Sequence, residues 1–239
     1  MEERLIREGM LIGDEGLEKL NSAHVAVFGL GGVGSWCAEA LARSGIGELT
    51  LVDCDDFSES NINRQLGASY SALGRRKTAV TAERLLDVNP KLSLHPIDAL
   101  YSAESRSLFF PEGSSAPYSF AADCIDLVSC KLDLIMTCRQ RGVPVISALG
   151  TGNKLDAQQL RIADLADTSG CALARVMRRE LRARGIEHSP VVFSPELPTS
   201  PLSLESPPPG RRSVPGSVIW VPATAGMLMA QYIIGQLLA

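Results

Sequence analysis

Aromatic residues are scarce in this 239-residue chain: six Phe, four Tyr and two Trp, 5% of the total. A surface that grips nucleic acid by stacking bases on a row of rings is therefore not written into it. Trp36, inside an apolar helix pattern, reads as a core residue. An excess of positive charge is also missing, with 23 Lys and Arg against 27 Asp and Glu, a formal net charge of −4 and a pI of about 5.5. No global field draws the chain to a polyanion or an anionic membrane, so any such partner must meet a local patch. The six cysteines, at 37, 54, 124, 130, 138 and 171, form no CxxC pair and keep no regular spacing. That argues against a structural zinc site and a disulfide scaffold; no zinc is expected, and free thiols fit a reducing cytoplasm. The amino terminus shows no secretory pattern. The longest apolar segment, 218–239, is interrupted by Pro222, Gly226, Gln231 and Gly235. It reads as a buried terminal helix, since a bilayer span needs about 20 largely apolar residues. Histidine occurs three times, at 24, 95 and 188, on a strand start, a strand end and a loop. Each reads as structural, and no general base stands out.

What is present is a regular alternation of strand and helix patterns. A short amphipathic helix and turn is expected over 1–22, with arginines at 4 and 7. Strand 24–29, helix 34–45 and strand 48–53 make a βαβ unit whose helix is closed by Gly45 and Gly47. A loop spans 54–70, and Lys77 opens a helix that Asn89-Pro90 stops near 88. Strand 92–97, a short helix and Gly/Ser/Pro loop over 101–119, strand 121–126, helix 128–142 and strand 143–148 follow. Such alternation implies an α/β, Rossmann-like fold, with a mostly parallel sheet covered by helices on both faces. Beyond 150 the pattern changes to a Gly-rich turn, a strand near 158–162 and a helix from about 170 to 184. Residues 194–216 are rich in Pro and Ser and read as a flexible surface loop. A strand over 218–221 leads into the last helix. The organisation is a single domain over 1–239: an arm (1–22), a nucleotide-binding core (23–150) and a C-terminal elaboration (151–239).

The first βα turn carries the chemistry. Gly29-Leu-Gly31-Gly32-Val-Gly34 joins an apolar strand to a helix, where glycines let the backbone approach a phosphate and the helix N-terminus offers N–H groups. Asp53 ends the next strand, where an acid can bond a ribose hydroxyl. These features alone suit a nicotinamide dehydrogenase equally well. Arg64 and Lys77 add fixed positive charge of the kind a triphosphate needs, and Asn61 adds uncharged donor and acceptor capacity. Asp126 is expected at a strand end, at the carboxyl edge of the sheet. There a carboxylate tolerates phosphates when Mg²⁺ lies between them, though it could also cap the helix over 128–142. Each of Arg64 and Lys77 alone could be a solvated surface charge, but together the residues fall on successive strand-end loops at one edge.

The Gly29–Gly34 turn, Asp53, Ser60-Asn61-Ile-Asn63-Arg64-Gln65, Lys77 and Ile125-Asp126 resemble the adenylating domain of ubiquitin-activating-type (ThiF/MoeB-type) enzymes. The resemblance implies that Asp53 binds the ATP ribose, that Asn61, Arg64 and Lys77 hold phosphates, and that Asp126 supports Mg²⁺. It implies that Arg7 is donated across a homodimer to the partner's ATP. Within that superfamily, Ile162–Ser169, Ala174-Arg175 through Arg184-Gly185-Ile186, Val191–Glu196 and Pro215–Gly226 look like the tRNA threonylcarbamoyladenosine dehydratases. Cys171 stands where that pattern has Asp or Pro, and the Pro-rich loop is unusually long. The implied activity is ATP-dependent adenylation of a carboxylate on tRNA, followed by ring closure with loss of water and without a covalent cysteine. Docking of a sulfur-relay protein stays open. The alternative is adenylation of the C-terminal glycine of a small sulfur-carrier protein, against which the missing CxxC pairs count; a nucleotide-gated binding module without turnover is a third class.

A local basic patch does exist. Arg175, Arg178, Arg179 and Arg182 recur at i, i+3, i+4 and i+7 and are expected to share one helix face, against a single Glu180. A solvated face would show the same spacing; with the resemblance, the stripe reads as an RNA contact.

Overall fold

The computed structural model describes residues 2–111, 116–202, 204 and 214–239. Parts of two expected loops, 112–115 and 203 with 205–213, lie outside the described residues. Seven strands form one sheet in the order β3-β2-β1-β4-β5-β7-β6. They are β1 (His24–Phe28), β2 (Glu48–Asp53), β3 (Ser93–Asp98), β4 (Phe120–Asp123), β5 (Val145–Ala148), β6 (Arg161–Asp164) and β7 (Pro190–Phe193). Every pairing is parallel except β6 with β7. The helices are α1 (Ile6–Ser22), α2 (Gly34–Arg43), α3 (Lys77–Val88), α4 (Arg106–Phe109), α5 (Val128–Gln140), α6 (Ala172–Arg182) and α7 (Trp220–Leu238).

Strand residues alternate between two buried layers, as the two-residue period of a pleated strand requires. Val25 and Val27 face a layer built with Leu41 of α2 and Met229 and Ile233 of α7, while Ala26 and Phe28 face the opposite one. Five of the twelve aromatics, Phe28, Tyr101, Phe109, Phe110 and Tyr118, pack together in that second layer. Their ring centroids lie 5.2–6.3 Å apart, mostly edge-to-face, and each such pair contributes about 0.5–1.5 kcal/mol beyond its burial. Tyr70 and Trp220, by contrast, are exposed. A third cluster joins α5 and α6 through Leu132, Ile135, Met177 and Leu181.

The terminal helix α7 is long and apolar enough to cross a membrane by length and composition. It is instead packed against α2, α1 and β5. Gly226 allows the contact with α2: a Cβ there would stand 2.4 Å from the Val33 carbonyl oxygen.

Three expectations are corrected. The strand expected over 121–126 stops at Asp123, because that side chain turns inward to Lys131 and the chain leaves the sheet. Asp126 therefore sits three residues beyond the strand, in the loop before α5. The strand expected over 218–221 is absent: the helix begins at Trp220, and Ala223 N–H already bonds the Ile219 carbonyl. In its place the sheet gains β7, a four-residue Pro-Val-Val-Phe run too short to show periodicity, inserted between β5 and β6. The N-terminal helix is also broken, with Gly13 at φ 71°, ψ 175°.

Candidate active site

The carboxyl ends of the parallel strands open into a cleft of about 650 Å³, lined among others by Gly31, Asp53, Asn61, Arg64, Lys77 and Asp126. That volume lies in the range of small-molecule sites. The cleft thus brings together the residues expected to bind the nucleotide, apart from Gly34, which lies behind the turn, and Arg7.

Its floor is the Gly29–Gly34 turn. Gly29 adopts φ 92°, and a Cβ there would approach the Cys124 carbonyl oxygen to 2.8 Å. A Cβ on Gly34 would lie 1.8 Å from the Gly29 carbonyl oxygen, so turn and helix close only with glycine. A Cβ on Gly31 would meet only the Gln65 side chain, at 4.0 Å, which leaves backbone open toward the cleft. Helix α2 has no side-chain cap; Ser35 and Cys37 N–H bond the Gly31 and Val33 carbonyls, and the glycine turn ahead of them lines the cleft at the helix N-terminus, where an anion is favoured.

Asp53 is fixed by the same turn. Leu30 N–H donates to its Oδ2 at 2.7 Å and Asp55 N–H to its Oδ1 at 2.8 Å. Each oxygen keeps a second lone pair for a ligand hydroxyl. Lys77, buried at the start of α3, donates to Asp55 Oδ2 at 2.9 Å and lies 3.9 Å from Asp53 Oδ1. The sequence did not single out Asp55, whose partnership aims the ammonium along the cleft floor.

The 58–66 segment turns back on itself. Asn61 Oδ1 accepts from Ser58 N–H at 3.1 Å in a reciprocal capping box. Arg64 donates to the Ser60 carbonyl at 2.7 Å and to Asn63 Oδ1 at 2.9 Å. Half-buried Trp36 donates its indole N–H to the Arg64 carbonyl at 3.2 Å, so it braces the 58–66 segment as well as filling space. Nothing in the spacing signalled that bond.

Asp126 is exposed in the cleft wall. Its loop rests on a fully buried pair, Lys131 Nζ at 2.9 Å from Asp123 Oδ2, with Lys131 also donating to the Ile125 carbonyl at 3.0 Å. Sequence reading missed this pair because each residue sat inside an ordinary strand or helix pattern. The other wall is a strap at 214–217. Asn63 Nδ2 donates to the Ser217 carbonyl at 3.0 Å, and Asn153, at φ 59°, exchanges two bonds with Gly216, at 2.6 and 2.8 Å. Beneath it, buried Lys154 donates to the Ser194 carbonyl at 2.5 Å, and burial pushes its pKa down.

The cleft's cysteines are poor nucleophiles. Burial, with the carboxylates of Asp55 and Asp53, pushes the Cys54 thiol up to about 11, and burial raises Cys124 well above the usual range. Both are thiols at neutral pH. Cys171 lies at the edge of this region, where its Sγ accepts Ala174 N–H at 3.4 Å and caps α6. That is the work an Asp would do at the same position.

Two expectations fall outside the cleft. Arg7 is exposed on α1 and does not line it. The arginine stripe on α6 is only partly as expected. Arg175, Arg179 and Arg182 are exposed, but Arg178 is half-buried and donates to the Leu165 and Thr168 carbonyls and to Thr168 Oγ1. Ala174, Met177 and Leu181 form the buried face of α6, and position 178 flanks it, so Arg178 holds the 165–168 turn.

The profile of the ThiF family matches residues 4–238, nearly the whole chain. The chain belongs to the ThiF family. The tRNA threonylcarbamoyladenosine dehydratase of Bacillus subtilis is 36% identical over 241 residues, covering 97% of this chain and 93% of that protein. That of Haemophilus influenzae is 42% identical over 181 residues, 76% of this chain and 68% of its own. Among solved structures, the Escherichia coli tRNA N6-threonylcarbamoyladenosine dehydratase in complex with ATP superposes with a TM-score of 0.86 at 33% identity. The match covers 98% of this chain and 93% of that one. The likeness therefore runs through α6, β7 and α7 as well as the nucleotide-binding half.

Proposed function

We propose that the chain is an ATP-dependent tRNA threonylcarbamoyladenosine dehydratase, which adenylates the carboxylate of the threonylcarbamoyl group and closes it into a ring. The observation that carries this reading is one cleft holding the glycine turn, Asp53, Asn61, Arg64, Lys77 and Asp126. It is joined to a full-length likeness to a dehydratase solved with ATP.

The substrate carboxylate attacks the α-phosphorus of ATP, and the bond from that phosphorus to the bridging oxygen breaks to release pyrophosphate. A nucleophile within the same threonylcarbamoyl group then attacks the acyl carbon and loses its proton, and AMP leaves with the carboxylate oxygen. The substrate has lost one water. Intramolecular attack has effective molarities up to about 10⁵–10⁸ M, so the protein's main task is the first step. Asp53 orients the ribose, the α2 N-terminus and Asn61 receive phosphate oxygens, and Arg64 and Lys77 neutralise charge developing on the pyrophosphate. The exposed carboxylate of Asp126 suits Mg²⁺, a hard cation held by few protein oxygens alongside phosphates. When bound, the ion would supply further charge neutralisation at the phosphates. Arg7 sits on α1 beside exposed Ile6, Met10 and Leu11, a face that a second copy would cover while receiving the arginine in its own cleft.

For tRNA, α6 serves as a rail. Leu173, in its first turn, lines the cleft, and Arg182 lies nine residues on, roughly 14 Å along the axis. Neutralising Arg175, Arg179 and Arg182 together is expected to weaken tRNA binding and spare ATP. At about 0.7 per contact on a single strand, it should flatten the slope of log affinity against log salt by roughly 2. An unchanged slope would return the helix to a solvated face.

The deciding experiment measures AMP release from ATP with threonylcarbamoyl-modified and with unmodified tRNA, together with the mass of the modified nucleoside. AMP release confined to the modified tRNA, with loss of one water, is expected. ATP binding without AMP release from either tRNA would move the search to a protein carboxylate.

A further inference from the structure

At the opposite edge of the sheet from the cleft, the first residues of β1 and β2 converge with the third residue of β3. Register aligns His24 of β1 with Glu48 of β2, and Thr50 of β2 with His95 of β3, so all four side chains stand on one face. His95 Nε2 lies 2.7 Å from Glu48 Oε1, and His24 Nδ1 lies 3.6 Å from the same oxygen. One donor atom from each residue falls within 4.8 Å of the other two. We propose that His24, Glu48 and His95 form a binding site for a transition-metal divalent cation, zinc being the best match, which braces β1, β2 and β3.

The donor chemistry supports this. Two imidazoles and one carboxylate suit zinc, and they leave a fourth position for water in a tetrahedral site. The set is oriented from behind, since buried Thr50 holds His24 Nε2 at 2.8 Å and so turns Nδ1 toward Glu48. A metal-ligating histidine is usually fixed in this way by a partner on its other nitrogen. The Tyr118 ring packs edge-on against His24, with centroids 5.0 Å apart, and limits its rotation. If the Nε2 proton points to Thr50, the lone pairs of Nδ1 and Oε1 face each other, an arrangement that a shared cation satisfies. The side chains remain 22%, 39% and 49% exposed, so an ion can enter from solvent. The site is separate from the nucleotide cleft: β1 runs from His24 to the glycine turn over five residues, roughly 16 Å. It uses no cysteine, and so differs in kind from the four-cysteine zinc site that the sequence argues against.

The test titrates the full chain with zinc, and with cobalt(II) as its spectroscopic stand-in. Saturation at one equivalent per chain is expected, with cobalt ligand-field bands and no near-ultraviolet thiolate charge-transfer band. His95→Gln, at a half-exposed position where folding is not at risk, should weaken zinc binding by at least ~100-fold, and Thr50→Val by about tenfold. Both should leave ATP binding unchanged. Zinc should raise the unfolding midpoint of the parent chain but not of His95→Gln. Absence of saturable binding, a thiolate band, or undiminished affinity in His95→Gln would overturn the proposal.

Discussion

Replacing Lys77 with alanine is expected to lower AMP formation by at least ~10³-fold while the chain stays folded. The loss is large because a buried ammonium acts in a site screened from water, where charge stabilisation is worth more than at the surface. Lys77 is nearly buried, yet its closest partner, Asp55, has a side chain 63% exposed. Its removal takes the nearby cation from Asp53, 9% exposed, but leaves that carboxylate its two backbone N–H donors, and Asp55 returns to water. The cost in stability should be about 1–2 kcal/mol, or roughly 2–8 °C in Tm for a chain of this size. Mixing this variant with Arg7→Ala tests the dimer. Random exchange between symmetric dimers restores about a quarter of the sites, since half the dimers are mixed and each holds one site with both residues intact. Recovery near zero would place Arg7 in its own subunit's cleft, whereas full activity of Arg7→Ala alone, with half the sites of the mixture working, would place it outside the reaction. Near-normal AMP formation by Lys77→Ala alone would remove Lys77 from the phosphate site.

The nucleotide half was legible because its signals are local. The glycine turn is forced by backbone clashes that only Gly34 and Gly29 avoid, and Asn89-Pro90 stops α3 at Val88 as expected. Asp53 ends β2, Asn61, Arg64 and Lys77 follow it, and Asp126 follows β4, so all five reach one cleft at the carboxyl edge of the same sheet. What the sequence hid depends on contacts between distant segments. β7 is too short for a period and exists through its pairing with β5 and β6. The helical start at Trp220 replaces a strand because α7 packs against α2 through Gly226. Arg178 fits the arginine spacing as well as its neighbours do. A rotation of one residue about the helix axis decides whether it meets solvent or the 165–168 turn, and the burial of Met177 and Leu181 sets that rotation.

The second large effect concerns stability. Lys131→Met leaves the Asp123 carboxylate inside the protein without its cation, in a pair whose two side chains are both 0% exposed. Breaking such a pair by removing one partner costs about 3–5 kcal/mol, which predicts a fall in Tm of roughly 6–20 °C. The double variant Asp123→Leu with Lys131→Met removes both charges and keeps apolar volume, so most of that loss should return, as buried pairs rarely exceed a well-packed apolar replacement. Catalysis should not return with it. Lys131 also donates to the Ile125 carbonyl, and Asp123 Oδ1 accepts Ile125 N–H at 3.2 Å. Together they fix the residue that precedes Asp126. With both gone, the loop keeps its fold-level neighbours but loses the bonds that aim Asp126 into the cleft. The double variant should therefore unfold near the parent's Tm yet form AMP slowly, with a higher Mg²⁺ requirement. Restored stability together with parental AMP formation would mean that the pair serves the core alone, and that Asp126 needs no such support.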